Sequence, residues 1–380
     1  MFIHNNLIIK VSAAGGDLEG AKMSKKNIKV LVVGCGNMGA SHATAYHNLD
    51  GFEIVGLVST GNSKVVLNEK LGGGYALYND YNEALATTKP DAVCISTYPD
   101  THEEFAIRAF ENGCHVFIEK PLADTVEGSI RVAEAAKKAG KKLVVGYILR
   151  YHPSWEKFIE VSQQMGKPLV MRMNLNQQSH GYMWTVHRNL MKSLSPIVDC
   201  AVHYIDVMCQ MTRSKPVQVN AIGARLTDEV PEWNYNYGQL QIRFEDGSVG
   251  WYEAGWGPMV SETAFFIKDV FGPKGAVSIV AKEASKVGQS DSVDSHTKTE
   301  SIKVHHADIN KDDEFTRPDD YIDMHDEPDH QELCNREQRF FLKAIHEDLD
   351  LSHPTEDAIN SLRIAFACDE SVKTGEVVKL

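Results

Sequence analysis

The apolar run Val30-Leu31-Val32-Val33 ends directly on Gly34-Cys35-Gly36-Asn37-Met38-Gly39, and few folds accept that order. It reads as a strand, a tight turn and the first turn of a helix. Gly34 makes the turn, Gly36 lets backbone approach a pyrophosphate, and Gly39 lets helix and sheet pack closely. The amides around Asn37 and Met38 then face phosphate oxygens from a helix N-terminus. Downstream, Ile54-Val55-Gly56-Leu57-Val58, Ala92-Val93-Cys94-Ile95, His115-Val116-Phe117-Ile118 and Leu143-Val144-Val145 are further unbroken apolar runs. Such runs signal strands buried on both faces of a parallel sheet. Between them Asp124 to Lys138 has helical spacing and closes on Gly140. Residues 27–150 are therefore expected to form a doubly wound α/β dinucleotide-binding (Rossmann) domain.

Beyond residue 150 the texture changes. Leu240, Ile242 and Phe244 alternate with polar neighbours, Asp246-Gly247 turns, and Val249 and Trp251 resume the alternation, which predicts an antiparallel hairpin. Val217 to Arg225, Ala264 to Phe271 and Ala276 to Ile279 read as further strands, and Val198 to Met211, Gln331 to Glu347 and Thr355 to Lys373 as helices. Residues 151–380 are expected to form an α+β domain. Within it, 284–330 is polar and carries ten carboxylates between Asp308 and Asp329, and is expected as a solvated excursion or lid.

At 380 residues the chain exceeds one ordinary domain. A net charge of -13 without any lysine or arginine run argues against a nucleic-acid or anionic-membrane partner. Cys35, Cys94, Cys114, Cys200, Cys209, Cys334 and Cys368 show no metal or redox spacing, and they read as reduced thiols of a cytoplasmic protein. No metal site is expected, and no stretch is long and apolar enough to span a bilayer. Residues 1–26 are weakly patterned and read as an N-terminal extension. Glu19-Gly20-Ala21-Lys22 can be encoded by purine-rich codons just ahead of Met23, so the segment reads either as untranslated sequence ahead of a start at Met23 or as an ordinary frayed terminus.

Four segments carry chemistry. After the second strand, Ser59-Thr60-Gly61-Asn62-Ser63-Lys64 lacks the carboxylate that bonds the ribose of NAD. Ser59 and Thr60 either donate to a 2′-phosphate that Lys64 neutralises, favouring NADP over NAD, or merely cap the next helix. Thr97-Tyr98-Pro99 lies where ligands meet an open α/β sheet, and His102 beyond Thr101 is either structural or a cofactor contact. Glu119-Lys120-Pro121 brings an ammonium to the same sheet edge, as a catalytic or a surface lysine. Its proline fixes the turn and admits a cis peptide. Asp199 and His203, four apart on one helical face, read as a general base with supporting acid, an incomplete metal site or a satisfied core histidine.

Together these motifs, with the ending His353-Pro354-Thr355-Glu356-Asp357 through Lys373-Thr374-Gly375, resemble the glucose-fructose oxidoreductase and inositol dehydrogenase family, Gfo/Idh/MocA. The resemblance covers essentially residues 27–380. It implies a second domain with an open, mainly antiparallel sheet, a sugar or cyclitol bound between sheet and nicotinamide, and homodimers or homotetramers. It also implies that Lys120 and His203 are the catalytic pair, with Asp199 holding substrate or imidazole. In that reading His203 accepts the hydroxyl proton, its ordinary pKa near 6.5 making both states accessible, and Lys120 stabilises the alkoxide. Glu119 and Lys120 join the cofactor contacts. Arg150, Tyr151, His180, Trp184, His187 and Arg188 flank the domain junction and are expected to line the sugar pocket. One departure is Ser193-Leu194-Ser195-Pro196-Ile197, where many members carry a glycine-rich run. The rival readings are a redox-assisted glycoside-cleaving enzyme with tightly held cofactor and a cofactor-binding regulator.

Overall fold

The computed structural model describes residues 26–261, 267–280, 290, 297, 299–324 and 327–380, so the N-terminal extension lies almost wholly outside the described residues. Six strands, β1 (Ile28–Val33), β2 (Phe52–Val58), β3 (Leu77–Tyr78), β4 (Ala92–Ile95), β5 (His115–Ile118) and β6 (Leu143–Val145), form one sheet ordered β3-β2-β1-β4-β5-β6. Every pairing in it is parallel. Successive residues of a strand enter opposite cores: Leu31 and Val33 pack on one side, Val30 and Val32 on the other. That two-sided burial explains the unbroken apolar runs. The two-residue edge strand β3 has no such run, and the sequence does not announce it.

Helices α1 (Asn37–Asn48), α2 (Ser63–Lys70), α3 (Tyr81–Thr88), α4 (His102–Glu111) and α5 (Val126–Ala139) cover the sheet. The Thr125 hydroxyl accepts from the Gly128 amide at 3.0 Å to start α5, and Gly140 at φ +63° ends it. Strand order reverses between β1 and β4, which opens a crevice at their carboxyl ends.

The second sheet has nine strands: β7 (Val170–Gln177), β8 (Pro216–Ala224), β9 (Tyr237–Phe244), β10 (Val249–Trp256), β11 (Lys268–Gly272), β12 (Gly275–Val280), β13 (Ser301–His306), β14 (Asp320–Asp323) and β15 (Val378–Lys379). Their order is β14-β13-β12-β11-β7-β10-β9-β8-β15. All pair antiparallel except β7 with β10. Met173, Leu240 and Tyr252 on one face pack under α8 (Val202–Thr212) and α10 (Ser352–Thr374). The opposite face is open, with Ile222, Val249 and Phe271 exposed.

Two expectations change. The acidic stretch 284–330 is not simply an excursion, because its later part supplies β13 and β14. Ile302 and Val304 alternate into the core, while Asp319 meets Lys303 and His305, and Asp320 meets His306 and Arg317. Two of the ten carboxylates, Asp319 and Asp320, are matched to cations of β13 across the hairpin. Second, α9 (His330–His346) follows the second domain in sequence but packs on the first. Phe341 joins Phe52 and Phe117 there, and Tyr46 on α1 donates to Gln338 at 2.6 Å. Among the described residues no helix is long and apolar enough to cross a membrane.

Candidate active site

The glycine loop sits at the crevice and has the geometry its spacing requires. Gly34 adopts φ +89°, and a Cβ there would lie 2.4 Å from the Ser96 carbonyl oxygen. A Cβ on Gly39 would lie 1.8 Å from the carbonyl oxygen of Gly34, so both positions exclude side chains for internal reasons. Gly36 is different: a Cβ there would meet nothing of the protein within 4 Å. It is the cap residue of α1, whose first turn has no side-chain cap and no acidic residue. Open space beside uncapped amides is what a pyrophosphate needs, so the loop fits a dinucleotide.

Beyond β2, Thr60, Gly61 and Asn62 are exposed and Ser59 is half-buried. Lys64 departs from its expected place. Its ammonium turns inward and donates to the carbonyls of Ser59 and Gly61 at 2.8 and 2.7 Å, and the residue is buried. It shapes the loop from beneath. Ser59 does not cap α2, for Asn62 is the cap residue; the Ser59 hydroxyl bonds that of Ser63 at 2.9 Å.

After β4, Tyr98 projects into solvent and the Thr97 hydroxyl pairs with that of Thr101 at 2.7 Å. His102, expected among cofactor contacts, is fully buried. Its Nδ1 faces the Pro121 carbonyl at 2.8 Å and its Nε2 the Thr97 carbonyl at 3.1 Å. Burial lowers its pKa. The ring ties the Thr97 loop to the lysine turn, so it positions both without pointing into the crevice.

That turn carries a cis Lys120–Pro121 peptide. Glu119, also expected among cofactor contacts, is buried and accepts from Nε2 of His42 at 2.7 Å and from the Lys120 amide at 3.2 Å. The Lys120 ammonium crosses to the second domain, where it donates to the Asp199 carbonyl at 2.9 Å and to Asp199 Oδ1 at 3.0 Å. Burial pulls the lysine pKa down, but the Asp199 carboxylate, followed by Cys200 and Glu119, outweighs it and holds the group above its ordinary value of 10.5. For Asp199 burial acts upward, and Lys120, with help from His187 and His203, brings it below 3.8. The pair is therefore charged on both sides throughout the neutral range. Its stabilisation is present above the ordinary Asp value and below the ordinary Lys value, and is lost only as pH falls through the depressed carboxylate pKa or rises through the elevated ammonium pKa.

Asp199 does not stand on a regular α-helix. Ile197–Ala201 form a π-helical turn before α8 begins at Val202. A π turn changes the angular offset between Asp199 and His203, and such turns recur at functional sites. The Ser195 hydroxyl accepts from the Val198 amide at 3.1 Å and donates to Asp369 at 2.7 Å, so the segment that lacks glycines is pinned by side-chain bonds. His203 is half-buried, edge-on to Tyr147 with ring centroids 5.7 Å apart, and its charge acts on both Asp199 and Glu119.

Of the residues expected to line the sugar pocket, His187 reaches this site. Its ring stacks on Trp256 at 4.2 Å, and it acts on Asp199. Trp184 is buried beside His187 on α7 (Gly181–Leu190), its indole and the Arg188 guanidinium both bond Glu229, and His180 is exposed at the helix N-terminus. Arg150 and Tyr151 lie elsewhere. Arg150 is locked to buried Asp206, and Tyr151 packs on Phe340; the two border a small void with Leu351 and Pro354. Proximity in sequence to the domain junction misplaced them, because the chain there turns through a 3₁₀ segment (Ile148–Tyr151) into the interior. Gln177, Trp256 and Tyr252 were missed. Gln177 accepts from the Trp256 indole at 2.8 Å beside Cys200, and buried Tyr252 stacks on Tyr204 with its charge environment set partly by Asp199. A buried glutamine ending an otherwise apolar strand face was the available signal.

Residues 28–147 match the Gfo/Idh/MocA oxidoreductase family's NAD-binding Rossmann fold, and residues 161–380 match its C-terminal alpha/beta domain. An inositol 2-dehydrogenase of Burkholderia cenocepacia (strain HI2424) is 31% identical over 187 residues, 48% of this chain and 53% of the relative. The match thus spans about half the length of that curated relative. Among solved structures, myo-inositol 2-dehydrogenase from Lactobacillus plantarum superposes with a TM-score of 0.73 at 20% identity, covering 93% of this chain and 100% of the other. Scyllo-inositol dehydrogenase from Lactobacillus casei, solved with NAD(H) and scyllo-inositol, gives 0.71 at 19% identity, covering 93% and 99%. At these identities the two structures establish the shared fold.

Proposed function

The chain belongs to the Gfo/Idh/MocA oxidoreductase family, and from that premise we propose that it is a nicotinamide-dependent dehydrogenase or reductase acting on a secondary alcohol of a sugar or cyclitol. The observation that carries the reading is the Lys120–Asp199 ion pair, reaching from the end of β5 to the π turn beside His203. A nicotinamide dinucleotide, held by the glycine loop, the Ser59–Thr60 loop and the Thr97–Pro99 loop, supplies the hydride acceptor or donor. Lys120 stays an ammonium, so it is unfit as a base and suited to stabilise the alkoxide as the hydroxyl loses its proton. His203 takes that proton and returns it in the reverse direction. Asp199 orients the ammonium, and His187, Trp256 and Gln177 wall the polyol site.

A screen of inositols, sugars and sugar acids, followed at the nicotinamide absorbance, tests this directly. Net cofactor reduction with at least one polyol is expected. Product formation with no net reduction would replace the reading with redox-assisted glycoside cleavage, and cofactor binding without any turnover would replace it with a regulator.

Gly36→Val is expected to fold with unchanged thermal stability, because its side chain enters space free of protein, while dinucleotide affinity falls at least tenfold. Isothermal titration with each cofactor, beside a thermal melt, reads the two quantities separately.

NADP is the favoured cofactor. Support comes from the absence of a carboxylate in the loop after β2, the accessible Thr60, and the Lys64 charge beneath the loop. Thr60→Asp is expected to shift the NADP-to-NAD ratio of kcat/KM toward NAD by at least tenfold. Like charges set face to face cost several kcal/mol and each ~1.4 kcal/mol is a factor of ten. Wild-type rates that are equal with both cofactors would remove the argument. A homodimer or homotetramer built on the open sheet face is proposed from the exposed Ile222, Val249 and Phe271, and light scattering after size exclusion would give its size.

A further inference from the structure

On the first domain, α1 and α9 enclose a polar cluster that meets the lysine turn only through the His42–Glu119 bond and supplies no group to the proposed reaction. His42, Cys334 and Glu337 are all fully buried, and their donor atoms lie within 4.8 Å of one another. Cys334 and Glu337 stand three apart on α9 and so share one face. Both carboxylate oxygens of Glu337 lack a hydrogen-bond partner. A buried carboxyl group in that condition is costly and calls for a neutralising partner. The nearby charge of Glu119 is of the same sign and raises that cost.

His42 is already oriented as metal-binding histidines usually are. Its Nε2 donates to the Glu119 carboxylate at 2.7 Å, which leaves Nδ1 as the lone-pair nitrogen. That nitrogen accepts at 3.0 Å from the amide of Gln338, itself held by Tyr46 at 2.6 Å. A histidine whose second nitrogen is bonded to a carboxylate is the outer arrangement that fixes tautomer and ring orientation in metal sites. Thiolate, imidazole and carboxylate together form a donor set for a borderline-soft divalent ion.

We infer that His42, Cys334 and Glu337 form a buried structural site for a divalent transition-metal ion of the zinc class, clamping α9 onto the dinucleotide-binding domain. His42 Nδ1 exchanges the Gln338 amide for the ion, and the thiol and carboxyl bind as anions, releasing their protons to solvent. Two anionic ligands balance the charge of the ion. The sequence does not announce the site: the histidine nearest in the chain is His330, whose Nδ1 lies 4.0 Å from the Cys334 thiol, whereas the third donor of the cluster, His42, comes from α1.

The test is the metal content of protein expressed in zinc- or cobalt-supplemented minimal medium and purified without chelator. About one ion per chain is expected, and the cobalt form should show a thiolate-to-cobalt charge-transfer band in the near ultraviolet. Cys334→Ser should abolish that band, and the isosteric Glu337→Gln should lower the bound metal at least tenfold. Asp199→Asn should keep its ion, which separates this site from the proposed catalytic one. Should the serine variant fail to fold, Glu337→Gln and the wild type melted with and without a chelator decide. A chelator should lower the wild-type melting temperature and leave that of Glu337→Gln unchanged. Wild-type protein with less than about a tenth of an ion per chain, or metal retained equally in both variants, would overturn the inference.

Discussion

Lys120→Ala is expected to cut kcat by about 10²- to 10³-fold, the usual cost of removing a group aimed at developing negative charge in a water-poor site. The loss should appear in kcat with the substrate KM little changed, since the ammonium interacts most strongly with the alkoxide that forms during reaction. Cofactor affinity should remain close to wild type, because the dinucleotide is held mainly by the glycine loop and the two loops beside it. Removing Lys120 also leaves the Asp199 carboxylate without its cation in a site where its side chain is only 16% exposed. A fall in stability at neutral pH is therefore expected alongside the kinetic loss, and Lys120→Ala/Asp199→Asn should recover stability without recovering turnover. Steady-state kinetics and urea unfolding of both variants give the result. Turnover of Lys120→Ala within tenfold of wild type would end its catalytic assignment.

The largest stability effect is expected at Arg150, a residue the sequence places in the wrong part of the molecule. Its Nε donates to Asp206 Oδ2 at 2.8 Å and its Nη2 to Oδ1 at 2.5 Å, with a third bond to the Pro354 carbonyl at 3.3 Å. The guanidinium carbon lies 5.1 Å from the Tyr147 ring centroid, and Asp206 is 1% exposed. Arg150→Ala strands a buried carboxylate and should cost about 3–5 kcal/mol of unfolding free energy. Replacing both partners, Arg150→Met with Asp206→Leu, should cost much less, because the penalty comes mainly from the unpaired charge and less from the loss of attraction. Urea denaturation of the two singles and the double closes the cycle. Equal losses in Arg150→Ala and the double variant would place the energy in packing.

Much of the first domain is legible in the sequence because the central strands are buried on both faces, so that consecutive residues in them must be apolar. Val30 to Val33, Ala92 to Ile95 and Val116 to Ile118 therefore stand out as blocks, and Gly34 and Gly39 are required by a positive φ and by a close carbonyl within one turn, whereas Gly36 is left free by the protein itself. The second sheet is buried on one face only, so its alternation is weaker. The hairpin around Asp246-Gly247 is readable, whereas β13 and β14 hide in an acidic stretch whose charges are paired only once the strands meet.

Within the candidate site, the sequence determined which residue types arrive at the sheet edge, since a strand end and a rigid turn leave Lys120 one place to go. Tertiary structure alone decided their partners. Asp199 lies 79 positions from Lys120 and meets it only because the π turn of the second domain is docked over the first. The same long-range packing tied His102 to Pro121, moved Arg150 out of the pocket and brought Trp256 and Gln177 in, whereas Lys64 is turned inward locally, by carbonyls three and five residues before it. The physical reason is range: local periodicity and turn chemistry act over a few residues, whereas charge pairing and burial are settled by whichever distant segments the fold brings within a few ångströms.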